Sequence, residues 1–157
     1  MAHSKISKLA TAQIGAVVKI NQLVPEAAQW CLGAYENLLA TAAEGWVALV
    51  DDVVVGFVVT RLAADEMEIL NFAVLPEHRR EGFGRRLLER ALRENRRQGA
   101  TRAYLEVRAS NSAAIEFYKA NGFKMFGHRP SYHCDPVEDA VLMERDLDGR
   151  DLCSGRH

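Results

Sequence analysis

The spacing of apolar residues along the chain alternates between a helical and a strand period, which predicts a domain that mixes helices with strands. Residues 11 to 21 carry apolar side chains at helical spacing, with Thr11 as a helix cap. A second helical pattern runs from about Pro25, a residue favoured in a first helical turn, to Leu39. We expect the first of these helices to be scaffold.

Two runs rich in β-branched residues follow, and an acidic tight turn joins them. Residues 46 to 50 form the first run, Asp51 and Asp52 the turn, and residues 53 to 62 the second run. This arrangement predicts an antiparallel hairpin. Gly56 lies inside the second strand, where it marks either a bulge or a close contact with a helix.

The next predicted strand, residues 67 to 74, alternates apolar and polar positions imperfectly around Glu68 and Asn71. Imperfect alternation of this kind predicts a β-bulge in the middle of the strand. A bulge would splay the strand from its neighbour. It would also free the backbone N–H and C=O groups of residues 72 to 74 for the amide-bearing arm of a ligand.

The second half of the chain predicts two more helices and three more strands. They are a helix over 85–98 that ends at Gly99, a strand over 102–108, a helix over 113–120, a short strand after Phe123 and a strand over 140–145. Buried positions expected in the first of these helices are Leu87, Leu88, Ala91, Leu92 and Asn95. We therefore predict one α/β (α+β) domain over residues 1–147, with a mostly antiparallel central sheet that opens at its middle. Residues 148–157 are expected to be a flexible tail.

Composition and charge exclude several classes of protein. With 157 residues and 48% hydrophobic content, the chain can bury a sizeable core and is not a disordered tail protein. Its net charge of −1 argues against general nucleic-acid binding. No run reaches the roughly 18 apolar residues of a membrane span, and the chain does not start like a signal peptide. Three cysteines without paired spacing favour a reducing, cytoplasmic location; they are Cys31, Cys134 and Cys153.

The stretch from Arg79 to Gly84, R-R-E-G-F-G, lies between a predicted strand and a predicted helix. A glycine-bearing turn there offers unpaired backbone N–H groups and the positive end of the helix dipole, which together suit a phosphate. A side chain at Gly82 would obstruct the ligand or resist the backbone angles of the loop. The spacing matches neither the dinucleotide fingerprint nor the ATP-type P-loop. Taken alone, such glycines are more often turn or packing residues.

Arginine is concentrated around this loop. Residues 77 to 97 hold eight arginines against four glutamates, a surplus of +4 that would favour the phosphates of a nucleotide. Arg79, Arg80 and Arg85 lie close enough to the loop to contact them. The remaining arginines of the segment are expected on a solvated helix face, paired with glutamates.

Glu106 is the first residue with candidate acid–base chemistry. In the strand 102–108 it shares a face with Tyr104 and Arg108, and a glutamate in such a strand needs a partner or a raised pKa. It is either half of a structural pair with Arg108 or a general base whose pKa is raised by apolar surroundings.

Tyr118 is the second such residue, and it lies on the apolar side of the helix 113–120, where a tyrosine is ordinarily part of the core. A phenol with a pKa near 10 is also a suitable proton donor to a departing thiolate, whose thiol has a pKa of about 8.5. Asn111 precedes this helix and can cap it, hydrogen-bond a ligand amide, or do both.

Residues suited to contact a second substrate lie in other segments. Trp30 falls off the apolar stripe of its predicted helix, so it either lines a groove or packs as a partly buried aromatic. Residues 128 to 139 form a polar, aromatic loop of the kind that contacts substrates. The acidic surplus of −5 over residues 135 to 151 would attract a basic peptide, or it is a solvated end. No metal site is assigned, since His128 and His133 lack ligands at suitable spacing.

From Glu66 to about Leu147 the sequence resembles the ribosomal-protein-alanine N-acetyltransferases (RimI type) of the GNAT superfamily. The matching stretches are Asn71-Phe72-Ala73-Val74, the loop R-x-x-G-x-G from Arg79 to Gly84, L-E-V-R-A-S-N from Leu105 to Asn111, Ala114 to Tyr118, Gly122-Phe123 and Glu138-Asp139-Ala140. The resemblance implies the acyl-CoA N-acyltransferase fold, with helices on both faces of the sheet. In that family the glutamate of the L-E-V-R-A-S-N stretch is the base and the tyrosine twelve residues later is the acid, positions that Glu106 and Tyr118 occupy here.

What the resemblance implies for function is transfer of acetyl from acetyl-CoA to the α-amine of a protein N-terminus, with an alanine of a small-subunit ribosomal protein as the type acceptor. An α-amine with a pKa near 8 is roughly a tenth neutral at pH 7, whereas a lysine near 10.4 is less than about a thousandth neutral, so the base has a modest task. Expected cofactor-binding residues are Phe72, Ala73, Val74, Arg79, Arg80, Glu81, Gly82, Phe83, Gly84, Arg85, Asn111 and Tyr118. Expected substrate-binding residues are Trp30, Asn71, Arg129, Tyr132 and Glu138.

Two alternatives to this function stay open at the level of sequence. One is a GNAT enzyme that acetylates a lysine or a small-molecule amine. The other is a non-catalytic acyl-CoA-binding module, against which the presence of both Glu106 and Tyr118 argues. The sequence predicts no oligomeric state.

Overall fold

One seven-stranded sheet forms the centre of the structure, a computed structural model that describes residues 2–41, 43–134 and 137–147. Its strands are β1 (Ser4–Lys8), β2 (Ala43–Val50), β3 (Val53–Ala63), β4 (Glu66–Val74), β5 (Arg102–Arg108), β6 (Lys124–Cys134) and β7 (Val137–Asp146). They lie in the order β1-β2-β3-β4-β5-β7-β6, and β4 with β5 is the parallel pair of an otherwise antiparallel ladder. The predicted mixed, mostly antiparallel sheet is therefore confirmed.

In the part of the chain that the structure describes, four α-helices cover the two faces of this sheet. They are α1 (Ile14–Leu23), α2 (Leu32–Thr41), α3 (Phe83–Arg97) and α4 (Ser112–Ala120), with 3₁₀ turns at Thr11–Gln13 and Pro76–His78. On what we call the α3/α4 face, α3 and Tyr118 of α4 pack with Leu105 and Met143 of the sheet. On the opposite α1/α2 face, Tyr35 packs with Phe57 and Val59. The sheet is thus buried on both sides, by a different helix pair on each.

The β2–β3 hairpin follows the sequence prediction. Asp51 and Asp52 have φ angles of 48° and 67°, the left-handed pair that suits a two-residue hairpin turn. A bulge lies beside Gly56, because Ala48 pairs with Gly56 and the next residue of β2 pairs with Val54. A Cβ at Gly56 would lie 3.1 Å from the carbonyl oxygen of Ala73 and 3.3 Å from Leu87 of α3. Both explanations offered for this glycine are correct.

The predicted bulge in β4 is present, and it opens the sheet. Val59 of β3 pairs with Asn71, and the next residue, Thr60, pairs with Ile69, so Leu70 is the extra residue. Pairing between β4 and β5 ends at Ile69 and Leu105, although both strands continue. Beyond that pair the two strands separate, and we call the gap between them the opening.

Helix α3 forms as its sequence predicts. Leu87, Leu88, Ala91, Leu92 and Asn95 are its buried side chains, together with Phe83 at its start. The Asn95 amide donates to the Thr60 hydroxyl, 3.1 Å away, and to the Ala91 carbonyl, 2.8 Å away, so its burial leaves no donor without a partner. Gly99 has a φ of 106° directly after the helix, as expected of a glycine that ends one.

The helix predicted from Pro25 is wrong in its first half, because α2 begins only at Leu32. Side chains replace the helical hydrogen bonds in between. Gln29 Nε2 lies 3.0 Å from the carbonyl oxygens of Asn21, Val24 and Ala27, and it donates to each of them. An amide that competes for backbone carbonyls in this way stabilises an irregular loop.

Two strands differ from the sequence prediction as well. Strand β1 was not predicted, since Ser4–Lys8 has a weak alternation of polar and apolar residues. Strand β6 is longer than predicted, because Lys124–Cys134 takes in the segment expected to be a loop. Its pairing is irregular there: Arg129 pairs with Ala140 and His133 with Glu138, which gives β6 two extra residues.

Among the described residues, no helix combines the length and apolarity needed to cross a bilayer. The tail predicted for residues 148–157 lies outside the described residues.

We predict that Gly56→Ala destabilises the fold by about 1–3 kcal/mol, because the new methyl group would press on backbone and on α3. Chemical denaturation of the variant measures this. Gly33→Ala in α2 is the matched control, since nothing lies within 4 Å of its added Cβ, and there we expect no loss or a gain of about 0.5–1 kcal/mol. Equal stability of the two variants would contradict the close contact at Gly56.

Candidate active site at the opening of the sheet

The loop before α3 has the backbone expected of an anion site. Arg80 and Gly82 have left-handed φ angles of 66° and 85°, and α3 begins at the next residue, Phe83. Within the described ranges of the chain, no side chain caps the N-terminus of α3, and a Cβ at Gly82 would meet nothing within 4 Å. The first N–H groups of this 15-residue helix therefore remain available to an anion, with the helix dipole oriented to attract it.

The charged side chains of this loop have different surroundings. Arg79 Nε donates to the Val74 carbonyl at 3.2 Å, which ties the loop to the end of β4. Glu81 Oε1 lies 3.0 Å from His78 Nδ1. Arg85, which was assigned from the sequence to contact with the phosphates, pairs with Glu89 at 2.9 Å on the exposed surface of α3. Arg80 is exposed.

Aromatic rings of α4 and β4 pack against the start of α3, next to the loop. The Phe72 ring meets the rings of Phe117 and Tyr118 edge-on, with centroids 5.7 and 6.2 Å apart. A Cβ at Gly84 would lie 3.4 Å from Phe117 and 3.8 Å from Phe72. A larger residue at Gly84 would therefore push α3 from this junction.

The backbone of β4 presents hydrogen-bonding groups to the opening. The N–H of Leu75 donates to the Val55 carbonyl of β3 at 2.9 Å, so alternation directs the N–H and C=O of Val74 away from β3. The Val74 carbonyl accepts a hydrogen bond from Arg79, and the N–H of Phe72 donates to the Asn71 side chain at 3.0 Å. Of these groups, the N–H of Val74 is directed into the opening.

Glu106 lies at the opening on the α1/α2 face. It is the first residue of β5 beyond the last pair with β4, and its neighbours Leu105 and Val107 face the opposite core. Its side chain is 16% exposed, and Oε1 lies 3.1 Å from Arg129 Nη1. The sequence offers Arg108 as a partner of Glu106. In the structure Arg108 pairs with Glu138 at 3.1 Å, and Glu106 pairs with Arg129. The carboxylate is thus held by a cation from β6.

Tyr118 lies on the other face, 7% exposed, among the rings of Phe72, Phe117 and Phe123. In the part of the chain that the structure describes, its hydroxyl has no hydrogen-bond partner. Burial raises the pKa of the phenol, so the group is protonated at neutral pH. A buried donor without an acceptor is costly, which marks it for a ligand atom.

The turn from β5 to α4 links the strand of Glu106 to the helix of Tyr118. Asn111 caps α4 by accepting a hydrogen bond from the N–H of Ala114 at 3.2 Å. Glu138 of β7 accepts from the Ser110 hydroxyl at 3.1 Å and from the Ser110 N–H at 3.0 Å. These bonds, with the Arg108 guanidinium, hold the pKa of Glu138 below its usual value. Glu138 therefore anchors the turn.

The other residues expected to bind substrate differ in exposure and in their contacts. Trp30 is half-buried, with its ring 5.0 Å from that of Tyr35. Asn71 is 5% exposed, and its amide donates to the Ala28 carbonyl and to the Tyr35 oxygen inside the protein. Tyr132 belongs to β6, and its side chain lies outside the described part of the structure. Arg129 is exposed but bound to Glu106.

Sequence reasoning missed two buried residues at this site, Asn21 and Tyr35. Both bond to Asn71, and both belong to the α1/α2 layer. A signal for Asn21 exists in the sequence, since it is a polar residue on the apolar stripe of α1. Among the described residues, no three His, Cys, Asp or Glu side chains form a group that could hold a metal ion.

The arrangement is suited to acid–base chemistry across the opening. The Glu106 carboxylate lies at the opening on the α1/α2 face, and on the α3/α4 face the phenol of Tyr118 packs against the Phe72 ring of β4. The phosphate-type loop lies on the side of the phenol. Such a site can take a proton from one reactant and give one to another while it polarises a carbonyl.

Comparison with known proteins finds a matching family and several relatives. The model of the Acetyltransferase (GNAT) family matches residues 18–123. A [ribosomal protein bS18]-alanine N-acetyltransferase of Escherichia coli is 42% identical over 89 residues, 55% of this chain and 60% of that protein. An N-alpha-acetyltransferase of Sulfurisphaera tokodaii is 34% identical over 145 residues, 83% and 86% of the two chains.

Among solved structures, the crystal structure of the ribosomal-protein-S18-alanine N-acetyltransferase from Escherichia coli aligns with a TM-score of 0.82 and 31% identity, over 92% of this chain and 94% of that one. In sequence, the chain spans 60% of the length of the bacterial relative.

We predict that Tyr118→Phe leaves the free energy of unfolding unchanged or raises it by up to about 1 kcal/mol, because it removes a buried hydroxyl that has no partner in the described structure. Tyr35→Phe is the control, since it removes an equally buried hydroxyl that is bonded to Asn21 and Asn71 and should cost about 0.5–1.5 kcal/mol. Urea denaturation compares them. A larger loss in Tyr118→Phe would mean that its hydroxyl is bonded within the protein.

We also predict that Glu138 contributes to acid sensitivity. Because its pKa is lowered in the folded protein, its stabilisation is present above the unfolded value near 4.5 and is lost as pH falls through the folded value. The melting temperature should therefore drop less between about pH 6 and pH 3.5 in Glu138→Gln than in the wild type. Glu116→Gln, at an exposed site of α4, should follow the wild type. An equal drop in all three would contradict the anchoring role.

Proposed function

Because this chain belongs to the GNAT acetyltransferase family, we propose that it moves the acetyl group of acetyl-CoA to the N-terminal α-amine of a protein. The expected acceptor is an N-terminal alanine of a small-subunit ribosomal protein, in keeping with the name of the bacterial relative. One observation carries the proposal: the sheet opens between β4 and β5, with Glu106 on one face of the opening and the buried phenol of Tyr118 on the other.

Acetyl-CoA fits the residues on the α3/α4 face of the opening. The uncapped start of α3 and the left-handed residues before it suit a pyrophosphate. The N–H of Val74 suits the carbonyl of a thioester, which is the acyl group that acetyl-CoA supplies. The proposed cofactor-binding residues are Phe72, Ala73, Val74, Arg79, Arg80, Glu81, Gly82, Phe83, Gly84, Arg85, Asn111 and Tyr118.

Glu106 is the proposed general base. As the nitrogen of the acceptor bonds to the acyl carbon, the carboxylate takes the proton that the nitrogen loses. An α-amine with a pKa near 8 is roughly a tenth neutral at pH 7, so little driving force is required from the base. The Arg129 guanidinium, 3.1 Å from the carboxylate, holds it in position.

Tyr118 is the proposed general acid. When the carbon–sulfur bond breaks, the phenol gives its proton to the thiolate sulfur. Burial raises the pKa of Tyr118, which keeps the proton in place until it is needed. The same apolar surroundings disfavour the charged thiolate, so the pKa values of the phenol and of the thiol are both raised.

The acceptor is proposed to lie on the α1/α2 face, beside Glu106. Trp30, Arg129 and Tyr132 belong to the two segments that border this side, the α1–α2 loop and β6. For Asn71 and Glu138 we propose an indirect role, since their side chains are bonded within the protein. The archaeal relative named an N-alpha-acetyltransferase covers most of both chains, which supports an α-amine as acceptor.

Release of free CoA from acetyl-CoA tests the proposal, with a short peptide that begins Ala-Arg. We expect turnover with the free α-amine and none with the same peptide when its α-amine is blocked and a lysine is added. Glu106→Gln and Tyr118→Phe should each lower kcat/KM by about 100-fold or more, as expected for the loss of a general base or acid.

Matched variants separate chemistry from folding in this assay. Glu116→Gln and Tyr104→Phe change the same residue types on α4 and β5, and both should keep wild-type kcat/KM within about threefold. Turnover of the blocked peptide would assign the protein to lysine or small-amine acetylation. Full activity of Glu106→Gln and Tyr118→Phe would overturn the proposed roles.

A further inference from the structure

A cluster of three polar side chains is buried in the apolar layer of the α1/α2 face, and we call it the amide cluster: Asn21 of α1, Tyr35 of α2 and Asn71 of β4. Their exposures are 1%, 0% and 5%. The Tyr35 hydroxyl donates to Asn21 Oδ1. Asn71 Nδ2 lies 2.9 Å from the Tyr35 oxygen and 3.2 Å from Asn21 Oδ1. The three elements are therefore linked by side chains that apolar packing alone would not require.

The amide cluster also holds residues 24–31, the loop between α1 and α2. The Ala28 carbonyl accepts from Asn21 Nδ2 at 2.6 Å and from Asn71 Nδ2 at 2.8 Å. The N–H of Trp30 donates to Asn21 Oδ1 at 3.3 Å. Gln29, outside the cluster, binds three further carbonyls of this region. The loop is irregular, yet its backbone is fixed at several points.

The third connection of the cluster is to the opening. Asn71 follows the bulge residue Leu70, and its Oδ1 accepts from the N–H of Phe72, one of the groups freed by the bulge. Asn71 lies just past the last β4–β5 pair on one strand, and Glu106 lies just past it on the other. Both face the same side of the sheet, so the loop held by Asn71 lies on the same face of the opening as Glu106.

We propose that the amide cluster is a positioning device, which fixes the α1–α2 loop as the wall against which the acceptor binds. This inference rests on the proposed function. Tyr35 and Asn71 touch neither reactant; they act through the loop that carries Trp30. The glycine loop of the proposed acetyl-CoA site is held by a different contact, from Arg79 to the Val74 carbonyl, so the loss of the Tyr35 hydroxyl affects acceptor binding and spares cofactor binding.

Two variants, each lacking one buried hydroxyl, test this. Tyr35→Phe removes the hydroxyl that bonds to Asn21 and Asn71 on the α1/α2 face. Thr60→Val removes the hydroxyl that accepts from Asn95 at 3.1 Å on the α3/α4 face, and Thr60 is 1% exposed. Both should lower the melting temperature by a similar amount. Kinetics measured well below both melting temperatures then compare fully folded enzymes.

In Tyr35→Phe we expect the KM for the Ala-Arg peptide to rise about fivefold or more, with the KM for acetyl-CoA within about twofold of the wild type. In Thr60→Val neither KM should change by more than about twofold. An unchanged peptide KM in Tyr35→Phe, or an equal rise in Thr60→Val, would overturn the inference. The split between the two KM values is the readout that a general loss of stability would not produce.

A surface variant covers the possibility that Tyr35→Phe does not fold. Gln29→Ala loosens the loop without a change in the core, since Gln29 is exposed, and it should raise the peptide KM in the same direction. Hydrogen exchange gives an assay that needs no turnover: Tyr35→Phe should speed amide exchange in residues 24–31 and leave α3 unchanged. Unchanged exchange in the loop would count against the cluster as its anchor.

These measurements also keep the two proposals apart. If the wild type acetylates a lysine or a small amine and not the α-amine, the proposed function fails, and the KM of that amine serves for the same comparison. If the wild type turns over the peptide and Tyr35→Phe does so with unchanged KM, the proposed function stands and the positioning role fails. If no amine is acetylated, hydrogen exchange alone decides whether the cluster holds the loop.

Discussion

The rest of the structure depends on one extra residue in β4. Leu70 has no partner in β3, and beyond it β4 no longer pairs with β5. A sheet loses backbone hydrogen bonds at such a place, and each group that loses a partner must find another or face a ligand. The cost is local and the benefit is an opening in the middle of an otherwise continuous sheet. The carboxylate of Glu106 and the N–H of Val74 lie at that opening.

The groups freed by the bulge account for both loops that border the opening. The N–H of Phe72 is taken by Asn71, whose amide also holds the α1–α2 loop. The carbonyl of Val74 is taken by Arg79, the first residue of the glycine loop before α3. Asn71 and Arg79 thus each bond to a backbone group of β4, and each fixes one of the two loops at the same time. The N–H of Val74 is directed into the opening, where a carbonyl oxygen can accept it.

Much of this was predictable from the sequence, and the exceptions have a physical cause. The strong periodicity of apolar residues predicts α3 and β5, and the acidic turn predicts the hairpin. The broken alternation of apolar and polar residues predicts the bulge in β4. The family and its fold were predictable from the L-E-V-R-A-S-N stretch and the glycine loop, which carry local signals. Segment 25–31 was predicted as helix because periodicity ignores side chains such as Gln29 that compete for carbonyls. The partner of Glu106 is a residue 23 positions away on β6, a distance over which no sequence pattern operates.

The two faces of the opening differ in polarity, and this difference matches the reactant that each face is proposed to hold. Tyr118 lies among aromatic rings, where a neutral donor is tolerated and a charge is not. Glu106 lies among charges, with Arg129 beside it and the Arg108–Glu138 pair next to it on the same sheet. The proposed acceptor amine loses a proton, which suits the charged α1/α2 face. The proposed thiolate sulfur gains a proton, which suits the apolar α3/α4 face. The bulge makes this division possible, because its extra residue shifts the alternation of side chains in β4 by one position. As a result, the side chain of Asn71 bonds to Asn21 on the α1/α2 face, and the ring of Phe72 packs against Tyr118 on the α3/α4 face.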